Sequence, residues 1–380
     1  MMKKSANNSS SSIRIGRVGI AELTALITIY CSTDVFLSYP SRVAVEGATA
    51  AWMIPLFAGV ISFAVFLLLY LAMRKTPTQN LMELVTNSLS PVIGIPVAIA
   101  FSIFFFLQTA IVMREFTETV VTTVLPRTPS EIVAASFLIV VVYYAYKGLE
   151  GLTRVAVLIA YILGVGFVVL LVLPLTWFHL PYLMPLAGRG WSVTLVHSFL
   201  NTSAFANVLM LAILYPAVRN QQHFVRIGLM SIFFTALTMS AVLFVVLGVF
   251  TDAVSGQVSF PLYQLARLIY VGRFVQRLES VFVFLWTAGA VLKMGFGLWL
   301  SGYLYASAFR MPVYRPIIFP MALLLYIFVF LPQNIMTIEA IESRIIEPFG
   351  WIVELLTPLL LVIVSVFINR LRGANQQAQS

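Results

Sequence analysis

Long apolar runs, each sized to a bilayer and separated by short polar connections, constrain this chain of 380 residues more than any other feature. They fall near 20–39, 52–73, 95–118, 131–147, 154–175, 195–215, 224–250, 279–306, 316–332 and 350–369, ten in all. About 20 apolar residues cross the hydrocarbon core as a helix, which satisfies its own backbone polar groups where no water can. With 61% hydrophobic residues, 10% charged residues and a mean hydropathy of +0.98, a water-soluble domain would expose large apolar patches. The expected fold class is therefore an all-α polytopic membrane protein with ten transmembrane helices, lying in a lipid bilayer.

The formal net charge of +9 sits mostly between the apolar runs, so it reads as topology and not as a nucleic-acid surface. Fourteen of the 23 basic residues, among them Lys3, Lys4, Arg14, Arg17, Arg74, Lys75, Arg370 and Arg372, fall on the side of the termini. Six fall on the opposite loops. Cytoplasmic loops carry the excess of Lys and Arg, so both termini are expected in the cytoplasm. Residues 1–17 read as a basic tail without a removable leader, 18–372 as one membrane domain and 373–380 as a C-terminal tail. Two short segments read as surface helices: 76–90, on the inner face, and 260–277, with Leu262, Leu265, Ala266 and Ile269 apolar against Gln264, Arg267 and Arg273.

The single cysteine, Cys31, and the scattered His179, His197 and His223 exclude a disulfide framework and the usual zinc motifs, and no cofactor is expected. Paired acids or His and Cys ligands that would mark a membrane-embedded enzyme are missing from the runs.

Polar residues inside the runs mark the candidate site. Run one holds Cys31-Ser32-Thr33-Asp34, followed by Tyr39 and by Pro40 where the run ends. Run six holds Asn201-Thr202-Ser203, then Phe205 and Asn207, and closes at Pro216. These are the opening spans of two five-span halves, about 20–175 and 195–369. Many secondary transporters consist of inverted repeats whose first helices are unwound at the midplane, where freed N–H and C=O groups bind the ends of a small zwitterion. The blander alternative is that these hydroxyls and amides bond back to their own helix or to neighbouring spans. Ser32, Thr33, Asp34, Tyr39, Asn201, Thr202, Ser203, Phe205 and Asn207 are the candidate ligand-binding residues.

Lys293 is the strongest single signal. Thirteen uncharged residues precede it and sixteen follow, so its ammonium lies roughly 20 Å along a helix from either end at about 1.5 Å per residue. A charge at the bilayer centre costs at least about 2.5–3.5 kcal/mol and is tolerated where it meets a partner, a protein interior or a water-filled cavity. Gly289, Gly297 and Ser301 flank it at fourfold spacing, so its face should pack closely on another helix. Lys293 is expected to touch the broken first span, either as a surrogate for a bound cation or as a proton-exchanging group. Arg114, Glu115 and Glu118 are a solvated cap if span three ends near Met113, and line a vestibule if it runs to Leu125. The cap is the expectation here, and Glu22 and Glu354 are read as acids near the interface.

The segment Phe260-Pro261-Leu262-Tyr263-Gln264-Leu265-Ala266-Arg267, then Phe274-Val275-Gln276-Arg277-Leu278-Glu279-Ser280-Val281-Phe282, Trp286 and Lys293, resembles the B subunit of spore nutrient-germinant receptors, the spore permease family. Ala51-Trp52 leading into span two and Pro216 closing span six fit as well. That family is similar to the amino acid, polyamine and organocation transporters, so the resemblance implies a LeuT-type 5+5 inverted repeat. It further implies a multi-pass protein of the bacterial spore inner membrane that senses a nutrient, often an amino acid, together with an A subunit and a lipoprotein C subunit. A proton-coupled amino acid transporter is the alternative. Many members carry Gly and Glu in span six where this chain has Ala206 and Asn207, so an acid-dependent role there does not carry over.

Overall fold

The computed structural model describes residues 16–74, 81–88, 90–269, 278–332 and 335–377, and every element of length among them is helical. The first apolar run forms α1 (Ile20–Ser32), a 3-10 turn at Thr33–Phe36, and a second helix, α2 (Tyr39–Gly47). Pro40 does not end this run. It stands in the first turn of α2, where a proline's missing N–H and fixed φ cost nothing, so the run breaks and restarts instead of stopping. A 3-10 turn then leads into α3 (Ile54–Met73).

The short helix α4 (Leu81–Ser88) covers part of the predicted inner-face segment, but it is not a loosely floating interfacial helix. Its Leu81, Met82, Leu84 and Val85 are buried. Next, α5 (Pro91–Thr123) is long enough to carry Arg114, Glu115 and Glu118 within the helix.

The element α6 (Ser130–Val172) is broken at Gly148, whose φ of +77° and ψ of −173° lie outside helical space. Glycine is required there twice over: its backbone is left-handed, and a Cβ would strike the Tyr314 hydroxyl. Both arms lie along α11 (Leu278–Ala308), with Tyr144 against Gly295 before the break and Leu163 and Leu285 meeting Gly289 and Gly166 after it. The element thus folds back on itself, and the break coincides with the connection expected between runs four and five.

The second half repeats the opening of the first. α7 (Trp191–Leu200), a 3-10 turn at Asn201–Ala204 and α8 (Asn207–Leu214) form a broken span, followed by α9 (Phe224–Ser255). Val18, just before α1, bridges to Val218, just after α8, with Val18 N–H donating to the Ala217 carbonyl at 2.9 Å. The start of one broken span therefore meets the end of the other, as antiparallel repeats demand. The amphipathic α10 (Pro261–Leu268) buries Leu262, Leu265 and Ala266 and leaves Arg267 outside; the rest of its predicted extent, 270–277, lies outside the described residues. Then come α12 (Arg315–Val329), α13 (Ile335–Ile341), α14 (Glu347–Trp351) and α15 (Thr357–Gln377), with π-turns at Glu342–Ile346 and Ile352–Leu356.

Seven described helical stretches are long and apolar enough to cross a membrane. The difference from ten has three sources. Breaking leaves α1 with 13 residues, α12 has 15, and the two arms of α6 run together as one stretch.

Candidate functional site

Both breaks have the same local construction. In the first, Leu37 N–H donates to the Asp34 carbonyl at 3.0 Å; in the second, Phe205 N–H donates to the Thr202 carbonyl at 2.9 Å. Apolar helices interrupted by short hydroxyl, amide and acid side chains give up the α ladder because those groups offer the backbone local alternatives. The first residue of α2 ties the first broken span to the second turn, the Tyr39 hydroxyl donating to Asn201 Oδ1 at 2.7 Å, with both residues buried.

A cavity of about 50 Å³ lies between them, lined by Asp34, Ser38, Tyr39, Arg42, Glu115, Asn201 and Ser203, with Gln108 from α5. Ser38 and Arg42 also line a wider cavity of about 450 Å³ at the end of the fold away from Val18, where Glu46, Ser259 and Arg344 contribute. The smaller space holds a few water-sized groups, and the wider one is of ligand size. Two acids, Asp34 and Glu115, and one guanidinium thus line the smaller space, and Arg42 connects it to the larger one.

Lys293 is 6% exposed and is ion-paired with Asp34, its ammonium also lying over the Tyr30 ring at 5.0 Å from the centroid. Around it α11 packs as its spacing demands. A Cβ at Gly289 would touch Thr33 Oγ1, one at Gly297 would strike Thr109, and the Ser301 hydroxyl donates to the Ser102 carbonyl at 2.7 Å. The lysine and the small-residue face are one device: close approach of α11 to α1 and α5 delivers the ammonium to the break.

Other candidates fall into different places. Thr33 Oγ1 donates to the Ile29 carbonyl at 2.5 Å and Thr202 Oγ1 to the Phe199 carbonyl at 2.6 Å, the back-bonded arrangement. Ser32 and Thr33 line a separate groove of about 470 Å³ between α1, α6 and α9. Phe205 is fully buried against α3 at Gly59, and Asn207 Nδ2 donates to Thr235 Oγ1 on α9 at 3.3 Å, so neither lines the central cavity.

The cap reading of span three is overturned. Arg114 and Glu115 are 6% and 2% exposed, because α5 runs on to Thr123 under the cover of neighbouring helices. Arg114 pairs with Glu118 at 2.8 Å and its guanidinium lies 5.1 Å from the Phe330 ring centroid. Glu115 Oε1 accepts the N–H of Ser38 at 2.9 Å, so this acid holds the backbone of the first break. Glu22 does sit at a helix end, its Oε2 accepting the Gly19 N–H at 2.6 Å. Glu354 does not: it is 2% exposed and within electrostatic reach of Lys293 and Asp34. Sequence reasoning missed Arg42, Gln108 and Glu354. A signal existed for Glu354, namely Pro358 four residues later in an apolar run, which forces a distortion at the acid's own turn.

This architecture defines a class, that of membrane proteins of the LeuT type, in which broken opening helices of two inverted repeats enclose a central site. Two solved transporters share it. A Na+-coupled sialic acid symporter in its substrate-bound outward-open state matches with a TM-score of 0.68 at 11% identity, over 95% of this chain and 82% of its own. A nucleobase-cation-symport-1 family transporter, closed with bromovinylhydantoin bound, matches with a TM-score of 0.60 at 13% identity, over 95% and 93%. Within that class the sequence profile of the spore germination proteins covers residues 17–338, and the chain belongs to this spore permease family. Spore germination protein KB of Bacillus subtilis (strain 168) is 25% identical over 297 residues, 77% of each chain. Spore germination protein B2 of the same organism is 25% identical over 254 residues, 66% of this chain and 69% of its own.

Proposed function

We propose that the chain is the nutrient-sensing membrane subunit of a spore germination receptor and that its ligand is a zwitterion, an amino acid being the simplest, held between the two breaks. The observation that carries this reading is that the two breaks meet across one cavity lined by charged groups of both signs, Asp34 and Arg42, together with the neutral polar Ser38, Asn201 and Ser203, a lining suited to the two ends of a zwitterion. The ligand enters from the wider cavity beside Arg42 and favours one arrangement of the broken helices over the other. A ligand shifts such an equilibrium by its differential affinity, and the shift is read by an A subunit and a lipoprotein C subunit. Ten crossings, cytoplasmic termini and residence in the spore inner membrane complete the proposal. Membership of a spore germination family favours sensing over proton-coupled amino acid transport.

Calorimetric titration of the purified chain with a panel of amino acids, their decarboxylated amines and their N-acetyl derivatives tests the site. Binding of at least one amino acid with loss of affinity for both derivatives is expected. Equal binding of the amine removes Arg42 from the recognition, and no binding by any amino acid sinks the proposal. Saturable, pH-gradient-driven uptake into liposomes containing the chain alone would establish the transporter instead.

A further inference from the structure

The final span is distorted at the turn that carries Glu354. Pro358 has no N–H to return to the Glu354 carbonyl, and Thr357 Oγ1 donates instead to the Ile352 carbonyl, five residues back, at 2.6 Å. The π-turn Ile352–Leu356 that results packs on α8 and on the turn of the second break. Such turns recur at functional sites because they push one side chain out of register. The side chain pushed here is Glu354, 2% exposed, with an Oε2 that has no hydrogen-bond partner. The titratable groups around it are Tyr30 and Cys31 from α1, Asp34 from the first break and Lys293 from α11. The second break and α8 present none.

One ammonium therefore serves a buried carboxyl group, Glu354, and a half-buried one, Asp34. Both carboxylates ionised would leave an uncompensated negative charge in a low-dielectric interior, which one proton removes. We propose that Glu354 is the second counter-ion of Lys293, holding that proton while the ammonium rests on Asp34 and giving it up when the ammonium comes over. In the ligand-free exchange the proton moves from Glu354 to Asp34 as Lys293 moves from Asp34 to Glu354, with no change in total charge. When a ligand's ammonium takes Asp34, Lys293 again goes to Glu354 and the proton leaves to water. Either exchange transfers an ion pair from the first break to the span packed on the second, tying the two halves to one event.

The inference rests on the Lys293–Asp34 pair and not on the nature of the nutrient, so it is tested on the ligand-free chain and can fail while the proposed function stands. The measurement is thermal unfolding of the purified full-length protein in detergent. Asp34→Asn is expected to cost a few degrees, because Glu354 takes over the ammonium, and Glu354→Gln less. Together they strand Lys293, and the loss should exceed the sum of the two. Adding Lys293→Met to the double variant should recover most of that loss, which a merely space-filling role for Glu354 does not predict. Additive losses, or a triple variant no better than the double, overturn the proposal. If the double variant is not recovered from membranes, the yield of the triple variant is the same readout: restored yield supports the exchange, and equal loss refutes it.

Discussion

The two broken spans are built alike and charged differently. Each is an α-helix, a four-residue 3-10 turn and a second helix, closed by the same backbone bond, from Leu37 to Asp34 in one and from Phe205 to Thr202 in the other. By that bond Asp34 and Thr202 are equivalent positions. The first turn is held by charge, with Asp34 on Lys293 and the Ser38 N–H on Glu115. The second is held by neutral groups, Asn201 on the Tyr39 hydroxyl and Asn207 on Thr235. The same backbone device therefore carries the electrostatics in one half and shape in the other.

The largest expected effect follows from removing the charge that the first break depends on. Lys293→Met keeps the stem and deletes the ammonium, leaving Asp34 facing a partner that has gone; losing one member of a fully buried pair costs about 3–5 kcal/mol, and the cost here is smaller because Asp34 is 29% exposed to the cavity. The germination response should be abolished while the chain still inserts, since an apolar residue eases insertion. Adding Asp34→Asn should restore thermal stability and not the response. A normal response from Lys293→Met would show that the lysine is tolerated and the asymmetry between the breaks is incidental.

The converse substitution makes the second break resemble the first. Thr202→Asp introduces an acid at the equivalent position, where no ammonium is described, at a cost of about 2.5–3.5 kcal/mol for an unpaired intramembrane charge. The amount of folded protein recovered from membranes should fall well below that of Thr202→Asn. Equal recovery would mean that the second break is as accommodating of charge as the first.

Much of this asymmetry is legible in the sequence, and what is not legible has one cause. Asp34, Asn201 and Lys293 stand out because lipid tolerates polar side chains only where protein surrounds them. Their mutual placement follows from repeat logic that needs no contacts to be known. Pro40 misleads because a proline inside an apolar run signals either an end or a restart, and the residues after it decide. Arg114, Glu115 and Glu354 mislead because depth in a bilayer is set by which helices cover a segment, which hydropathy does not encode. Thr33 and Phe205 lie on the broken segments but face away from the cavity that Asp34 and Asn201 line, since the turns change the angular register from that of an α-helix.

The smallest effect concerns the neutral bond that joins the breaks. Tyr39→Phe keeps the buried ring and removes one hydroxyl, leaving Asn201 Oδ1 without the donor it has at 2.7 Å. Such a bond contributes about 0.5–1.5 kcal/mol, so at most about a tenfold loss of apparent ligand affinity is expected. Because the bond spans the halves, the loss should appear as a higher nutrient concentration for half-maximal response with the maximal response kept. Asn201→Ala removes the other partner, and the double variant should lose little more than either alone, since both delete one interaction. Additive losses would mean that Tyr39 and Asn201 act on the ligand separately, and the second break would then contribute contacts of its own and not only the shape of the cavity wall.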